Sequence, residues 1–125
     1  SVHFVGRVPH QHLPQYYNQA TLAVFPSLAE AFGLTCAEAM ACGTPVLMTA
    51  AASGPELVED GVSGLLVDVQ NTPAFSAAIL RLLGDDPLRA ALGKNARARA
   101  EACFNVEQLG VENLDYYRKI TGHAN

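Results

Sequence analysis

Four short apolar runs recur along the chain, with longer helix-like stretches between them. They are "VHFV" (2–5), "LAVF" (22–25), "PVLMT" (45–49) and "GLLVD" (64–68). Apolar runs of this length that alternate with helices are typical of parallel strands joined by crossover helices. The pattern therefore predicts an α/β fold in which helices flank a parallel sheet, with residues 2–5 as its first strand.

The stretches between and after these strands predict five helices and one short helical turn. Segment 73–84 has the clearest helical spacing, because its apolar residues recur at i, i+3, i+4, i+7 and i+8. These residues, which predict a wide buried stripe, are Phe75, Ala78, Ile79, Leu82 and Leu83. The other helices are predicted over residues 12–19, 35–42, 87–102 and 106–120, and the helical turn near 54–60.

Particular side chains predict where these helices begin and end. Thr72 and Asp86 each precede a proline at the first helical position, where the missing N–H costs nothing, so both are predicted N-caps. Gly43 is predicted to end helix 35–42 in the left-handed conformation. The cations of helix 87–102 are predicted to be solvated, and they are Arg89, Lys94 and Arg97.

Length and composition bound the domain organisation. With 125 residues, of which 50% are hydrophobic and 16% charged, the chain is typical of one compact domain. It starts directly in a predicted strand, whereas doubly wound sheets usually have about five or six strands. We therefore expect residues 1–125 to be the rear part of a larger domain whose first two βα units precede it.

The distribution of charge and apolar residues excludes several classes of function. The net charge is −4, seven of the eight basic residues follow position 80, and no basic stripe with interleaved aromatic residues exists, which disfavours nucleic-acid binding. No signal peptide and no membrane-spanning run is evident, which predicts a soluble, cytoplasmic protein. No cluster of Asp, His or Cys has ligand spacing, so we expect no metal, and His10 and His12 are predicted surface residues.

Three cysteines match no zinc or CxxC spacing and are therefore expected to be reduced core thiols. They are Cys36, Cys42 and Cys103. Cys36 is the one candidate for a reactive thiol, because the N-terminus of its predicted helix would lower its pKa.

The candidate site is the run "AEAFGLTCAEAM", where Glu30 and Glu38 stand eight positions apart with no other charge between them. The run follows strand 22–25, and ligands of open α/β sheets bind beyond the carboxyl ends of the strands. Gly33 permits close approach of a ligand, and the amides at the start of the next helix favour a phosphate. Each ionised carboxylate accepts hydrogen bonds from hydroxyls, so a sugar or a ribose is the expected partner.

Three other interpretations remain open at this point. Thr35-x-x-Glu38 fits a capping box, and Glu30 fits a solvated loop carboxylate. The two glutamates also fit the acid/base pair of a glycoside hydrolase. Finally, the crevice fits a nucleotide-binding module without catalytic activity.

The whole run resembles the retaining glycosyltransferases of family 4, which have the two-domain GT-B fold and carry an E-x7-E motif. Besides "PSLAEAFGLTCAEAMACGTPVL", four further segments resemble this family in the same order. They are "FVGRV" (4–8), "YYNQATLAVFPS" (16–27), "GPELVEDGVSGLLVD" (54–68) and "LGKNAR" (92–97). The resemblance covers nearly the whole chain and implies a Rossmann-like, donor-binding part of the C-terminal half of such an enzyme.

The resemblance implies a role for each matching residue in binding a nucleotide-sugar donor. Glu30 would be catalytic, holding hexose hydroxyls and stabilising charge near the anomeric carbon. Thr35 would meet the diphosphate, Glu38 would accept the ribose hydroxyls, and Glu56 would be structural. Backbone amides of Phe32, Gly33 and Leu34 would face the sugar, and the base would lie by Gly6, Arg7 and Val8.

The resemblance also implies what the rest of the enzyme supplies. The acceptor would bind to an N-terminal domain with a catalytic histidine, and that domain would allow peripheral membrane association of the parent. An upstream Arg and Lys would neutralise the diphosphate without a metal or other cofactor. We therefore expect the parent to transfer a hexosyl group with retention, and the 125 residues alone to be inactive and prone to self-association. Neither the sugar, the base nor the acceptor follows from these residues.

Overall fold

A computed structural model describes residues 2–6, 8–26, 33–51 and 54–103. Within them, three parallel strands form a sheet in the order β1-β2-β3. Ala23 pairs with Val46, and Leu47 pairs with Leu65, so β3 begins one residue further along the sheet than β1. The strands are β1 (Ala23–Phe25), β2 (Val46–Thr49) and β3 (Leu65–Val67).

Helices connect these strands and follow the last one. A 3-10 turn (His10–His12) leads into α1 (Leu13–Gln19), which precedes β1. The others are α2 (Gly33–Ala41), α3 (Gly54–Leu57), α4 (Thr72–Leu83) and α5 (Asp86–Cys103). The predicted α/β fold with a parallel sheet and flanking helices is therefore confirmed. The predicted helix 106–120 lies outside the described residues.

The core has two layers because β2 buries both of its faces. Successive side chains of a strand point to opposite faces. Accordingly, Val46 and Met48 pack into a layer with α2 and α5, whereas Leu47 packs into a layer with α4. All four residues of β2 are at most 1% exposed, so this strand holds the two layers together.

A close contact between two glycines fixes α5 against the end of α2. Gly43 follows α2 with a φ of 77°, the left-handed conformation predicted for a helix stop. Gly93, in the middle of α5, is buried so closely on this turn that a Cβ there would lie 2.4 Å from the carbonyl oxygen of Gly43. Only a residue without a side chain permits this approach.

The predicted first strand is wrong. Residues 2–6 have no strand conformation, and Val2, Phe4 and Val5 are 79%, 94% and 57% exposed. An apolar run forms a strand only when another strand satisfies its backbone N–H and C=O groups. Neither β1 nor β3 pairs with this segment, so its apolar side chains remain in solvent.

Both predicted N-caps are displaced by one residue. The side chain of Asn71, not Thr72, accepts from the backbone N–H of Ala74 at 3.1 Å. Likewise Asp85, not Asp86, accepts from the N–H of Leu88 at 2.9 Å. The first four N–H groups of a helix have no partner within it, so proline is tolerated at the second position as well as the first.

Two of the three cations predicted to be solvated are largely covered. The side chains of Arg89 and Arg97 are 20% and 13% exposed, whereas Lys94 is exposed as predicted. Long side chains bury their aliphatic stems along apolar surface, which helical periodicity alone does not reveal. Conversely, Leu83 is 50% exposed and does not belong to the predicted buried stripe.

We expect Gly93→Ala to destabilise the domain, although alanine is intrinsically the better helix former by about 1 kcal/mol. The added methyl group would overlap the carbonyl of Gly43, and overpacking of this kind costs about 1–3 kcal/mol. Denaturant unfolding of Gly93→Ala, with the exposed Ala98→Gly on the same helix as control, measures both effects. An increase in unfolding free energy for Gly93→Ala would show that α5 moves away from the Gly43 turn at little cost.

Candidate functional site

The carboxyl edge of the sheet is where two connecting helices begin. β1 ends at Phe25 and is followed by α2 from Gly33, while β2 ends at Thr49 and is followed by α3 from Gly54. In open α/β sheets ligands bind beyond this edge. The edge is therefore the candidate site, as the sequence predicts.

The structure describes some of the predicted site residues and not others. Arg7, Glu30 and Phe32 lie outside the described residues, so a common crevice for Glu30 and Glu38 remains a prediction. Gly33 and Leu34 are the first residues of α2. Gly6 is exposed with a φ of 82°, and Val8 and Thr35 are half-buried.

Glu38 lies deeper in α2 than the sequence suggests. Since the helix begins at Gly33, it has no acidic residue in its first turn, and Glu38 stands in the second. Thr35 is inside the helix and not at its N-cap position, so the capping-box interpretation is wrong. The Glu38 side chain is only 1% exposed and is therefore enclosed by the chain.

Two ionisable side chains lie within electrostatic reach of Glu38, one on α1 and one just after α2. Burial raises the pKa of the Tyr17 phenol to about 12, and the negative charge of Glu38 adds to this rise. At Cys42, burial also raises the pKa to about 12, with Arg97 opposing the rise and Glu38 adding to it. Glu38 thus lies within electrostatic reach of Tyr17 on α1 and of Cys42 after α2, and Arg97 on α5 acts on the same Cys42.

A part-buried hydrogen bond ties α1 to the segment that follows α2. The Thr44 hydroxyl donates to the backbone carbonyl of Tyr17 at 2.7 Å, across 27 residues of chain. Thr44 is 3% exposed and follows the turn at the end of α2. Any movement of α1 away from Glu38 must therefore break this hydrogen bond or move Thr44 together with α1.

Cys36 does not have the environment of a reactive thiol. It lies near the start of α2, but it is fully buried, and burial raises its pKa from the ordinary value of 9.0 to about 12. In this position desolvation outweighs the helix dipole. Cys36 and Cys42 are buried free thiols, as predicted, whereas Cys103 is exposed.

A cavity at the same edge was not evident from the sequence. It has a volume of about 430 Å³ and is lined by Pro26 after β1 and by residues at the start of α4 and just before it. Those residues are Val69, Gln70, Thr72 and Phe75. It lies on the α4 side of the sheet, away from the layer that holds Glu38. Pro26 is more than 40 positions from the other lining residues, so only the topology of the sheet brings it to them.

Other site types find no support in the part of the chain that the structure describes. Within it, no group of three or more His, Cys, Asp or Glu side chains is placed to hold a metal ion. Among the same residues, no helix combines the length and apolar character needed to cross a bilayer. His12 is exposed, as predicted.

We expect the three cysteines to differ sharply in reactivity with N-ethylmaleimide at pH 8. A pKa of about 12 leaves roughly one Cys36 or Cys42 thiol in ten thousand ionised at that pH, and both are shielded from reagent. Peptide mapping by mass spectrometry should find Cys103 modified in the native protein and the other two only after denaturation. Rapid native labelling of Cys36 would instead indicate that the helix N-terminus lowers its pKa.

Comparison with known proteins places the chain in a family. The family model described as "Glycosyl transferases group 1" matches residues 1–99. A D-inositol 3-phosphate glycosyltransferase of Catenulispora acidiphila is 49% identical over 81 residues, which are 65% of this chain and 19% of that protein. An O-antigen chain mannosyltransferase B of Escherichia coli is 37% identical over 95% of this chain and 30% of its own.

Solved structures give the same result. Sucrose-phosphate synthase from Thermosynechococcus elongatus is 41% identical with a TM-score of 0.80, over 96% of this chain and 30% of that chain. HepE of Anabaena, in complex with UDP, is 30% identical with a TM-score of 0.71, over 88% of this chain and 30% of its own. The chain thus spans from about a fifth to a third of the length of these proteins. It belongs to the glycosyl transferases group 1 family and has the α/β fold of GT-B glycosyltransferases.

Proposed function

We propose that these residues form the donor-binding part of a retaining glycosyltransferase that transfers a hexosyl group from a nucleoside-diphosphate sugar to an acceptor. The observation that best supports this is the likeness to HepE, whose structure contains UDP, at 30% identity and a TM-score of 0.71. The carboxyl edge of the sheet, where α2 and α3 begin, is the proposed place of the donor.

The start of α2 supplies the chemistry that a diphosphate needs. The helix is nine residues long, and its first N–H groups have no carbonyl partner within it. These amides and the positive end of the helix dipole favour an anion. In the proposed complex the diphosphate lies against Thr35, the amides of Phe32, Gly33 and Leu34 face the sugar, and no metal ion is required. The base lies by Gly6, Arg7 and Val8.

Glu38 is proposed to accept hydrogen bonds from the ribose hydroxyls. Because only 1% of Glu38 is exposed, this role requires that the donor displaces part of the chain that encloses the carboxylate. The donor would then replace protein groups around an already desolvated charge. Such a charge gains more from a hydroxyl hydrogen bond than one in water does.

In the proposed reaction the bond between the anomeric carbon and the diphosphate oxygen breaks, and the electron pair leaves with the nucleoside diphosphate. The acceptor hydroxyl forms the new bond on the same face and loses its proton. Glu30 stabilises the positive charge that develops on the sugar, and amides from Phe32 onward hold the sugar hydroxyls. Other parts of the protein bind the acceptor and would allow peripheral membrane association, and we place the enzyme in the cytoplasm.

Incubation of the full-length protein with a panel of nucleotide sugars, with and without candidate acceptors, tests this function. We expect a nucleoside diphosphate and a glycosylated acceptor whose anomeric configuration matches that of the donor. Hydrolysis of a glycosidic bond without a nucleotide product would favour a glycoside hydrolase. Binding of a nucleotide without turnover of any donor would favour a module without catalytic activity.

We expect Glu38→Gln in the full-length enzyme to raise the KM for the donor by about 10- to 100-fold, since hydrogen bonds to a charged group contribute about 1.5–3 kcal/mol. Glutamine keeps the size of the side chain and removes the charge. Glu101→Gln on α5 is the matched control, because the Glu101 side chain is 42% exposed and contacts Arg97 at 3.4 Å. A lower melting temperature with an unchanged KM would show that Glu38 serves only the packing of α1, α2 and α5.

A further inference from the structure

Two arginines of α5 make the same kind of contact at the ends of two different helices. Arg89 donates from one guanidinium nitrogen to the carbonyls of Leu82 and Leu83, at 2.6 and 2.8 Å, at the end of α4. Arg99 donates to the carbonyls of Leu57 and Glu56, at 2.7 and 3.0 Å, at the end of α3. The last carbonyls of a helix lack partners within it, and a cation there also complements the helix dipole.

Both helices start at the carboxyl edge of the sheet and differ in how far they run from it. α4 starts after the carboxyl end of β3 and packs along it for twelve residues, so its last carbonyls reach the amino edge. α3 starts after the carboxyl end of β2 and is only four residues long, so the carbonyls that Arg99 contacts lie within about one helical turn of its start. Ten residues of helix, about 15 Å, separate the two arginines along α5.

The glycine contact in the middle of α5 indicates in which direction α5 runs relative to the two edges of the sheet. Gly93 packs on Gly43, which precedes the amino end of β2. Arg99 is six residues further along α5, about 9 Å toward the carboxyl edge, and Arg89 is four residues back, about 6 Å in the other direction. Arg99 is therefore the nearer of the two arginines to the edge where the donor is proposed to bind.

Helix α3 is fixed at both ends and touches α2. At its start, a Cβ on Gly54 would lie 1.9 Å from the carbonyl oxygen of Thr49, the last residue of β2. At its end, the two hydrogen bonds from Arg99 hold Glu56 and Leu57. α3 packs on α2, whose N-terminus faces the proposed diphosphate. A displacement of α3 is therefore transmitted to the residues that border the donor.

We propose that Arg99 is a positioning residue for the donor site, holding α3 at the carboxyl edge against α2 so that the edge is ordered before the donor binds. This rests on the proposed function. The guanidinium suits the task because its planar fork reaches two carbonyls at once, which a lysine ammonium does not do with the same geometry. The same contact holds the backbone of Glu56, whose side chain is exposed.

The test compares Arg99→Ala, Arg99→Lys and Arg89→Ala in the full-length protein. Donor KM and kcat, binding of UDP by titration calorimetry and the melting temperature are measured for each. Both alanine variants lose two hydrogen bonds at a helix end, so we expect similar falls in melting temperature. Only Arg99→Ala should raise the donor KM and the dissociation constant of UDP, by about tenfold, with a smaller change in kcat. Arg99→Lys should be intermediate.

The outcomes separate this proposal from the function on which it rests. If wild-type protein neither binds UDP nor turns over a nucleotide sugar, the proposed function fails, and the proposal for Arg99 fails with it. If wild type is active but the two alanine variants have the same donor KM, the function stands and Arg99 is merely structural. If Arg99→Ala does not fold, an Arg99→Lys variant with wild-type KM and a lowered melting temperature overturns the proposal.

Discussion

The burial of β2 on both faces is the constraint on which the rest of the structure depends. A strand that is at most 1% exposed along its whole length needs a layer of apolar side chains above and below it. Helices α2 and α5 supply one layer, and α4 together with Leu88 and Leu92 of α5 supplies the other. With both faces covered, the ends of the strands are where a ligand can approach the sheet. The carboxyl ends are also where α2 and α3 present backbone N–H groups.

The elements that could be predicted from the sequence are those whose pattern is local. The alternation of apolar runs with helical spacing located β1, β2 and β3 and all five helices of the described residues to within a few residues. Residues 2–5 have the same apolar character, but a strand also needs a neighbour, which no local pattern supplies. The N-caps at Asn71 and Asp85 were missed because a proline permits a helix to begin at either of two positions.

The candidate site was predictable as an edge of the fold and not as an arrangement of side chains. The run around Gly33 indicated a helix start beyond a strand, and α2 begins there. The depth of Glu38 depends on how α1 and α5 pack on α2, and the contacts of Arg99 join residues 42 and 43 positions apart. Separations of this size leave no periodic signal. The same reason explains why the 430 Å³ cavity was not predicted.

Helix α5 contacts α2, α4 and β2, and it also reaches the turn before β3, where the Asn95 amide donates to the carbonyl of Val62 at 3.0 Å. One helix thus connects segments that are otherwise distant in sequence. Unfolding of α5 would remove its contacts with several loops and with both apolar layers at the same time. The domain should therefore lose its structure in a single cooperative transition, with amide hydrogens in β2 and in the middle of α5 exchanging at similar rates.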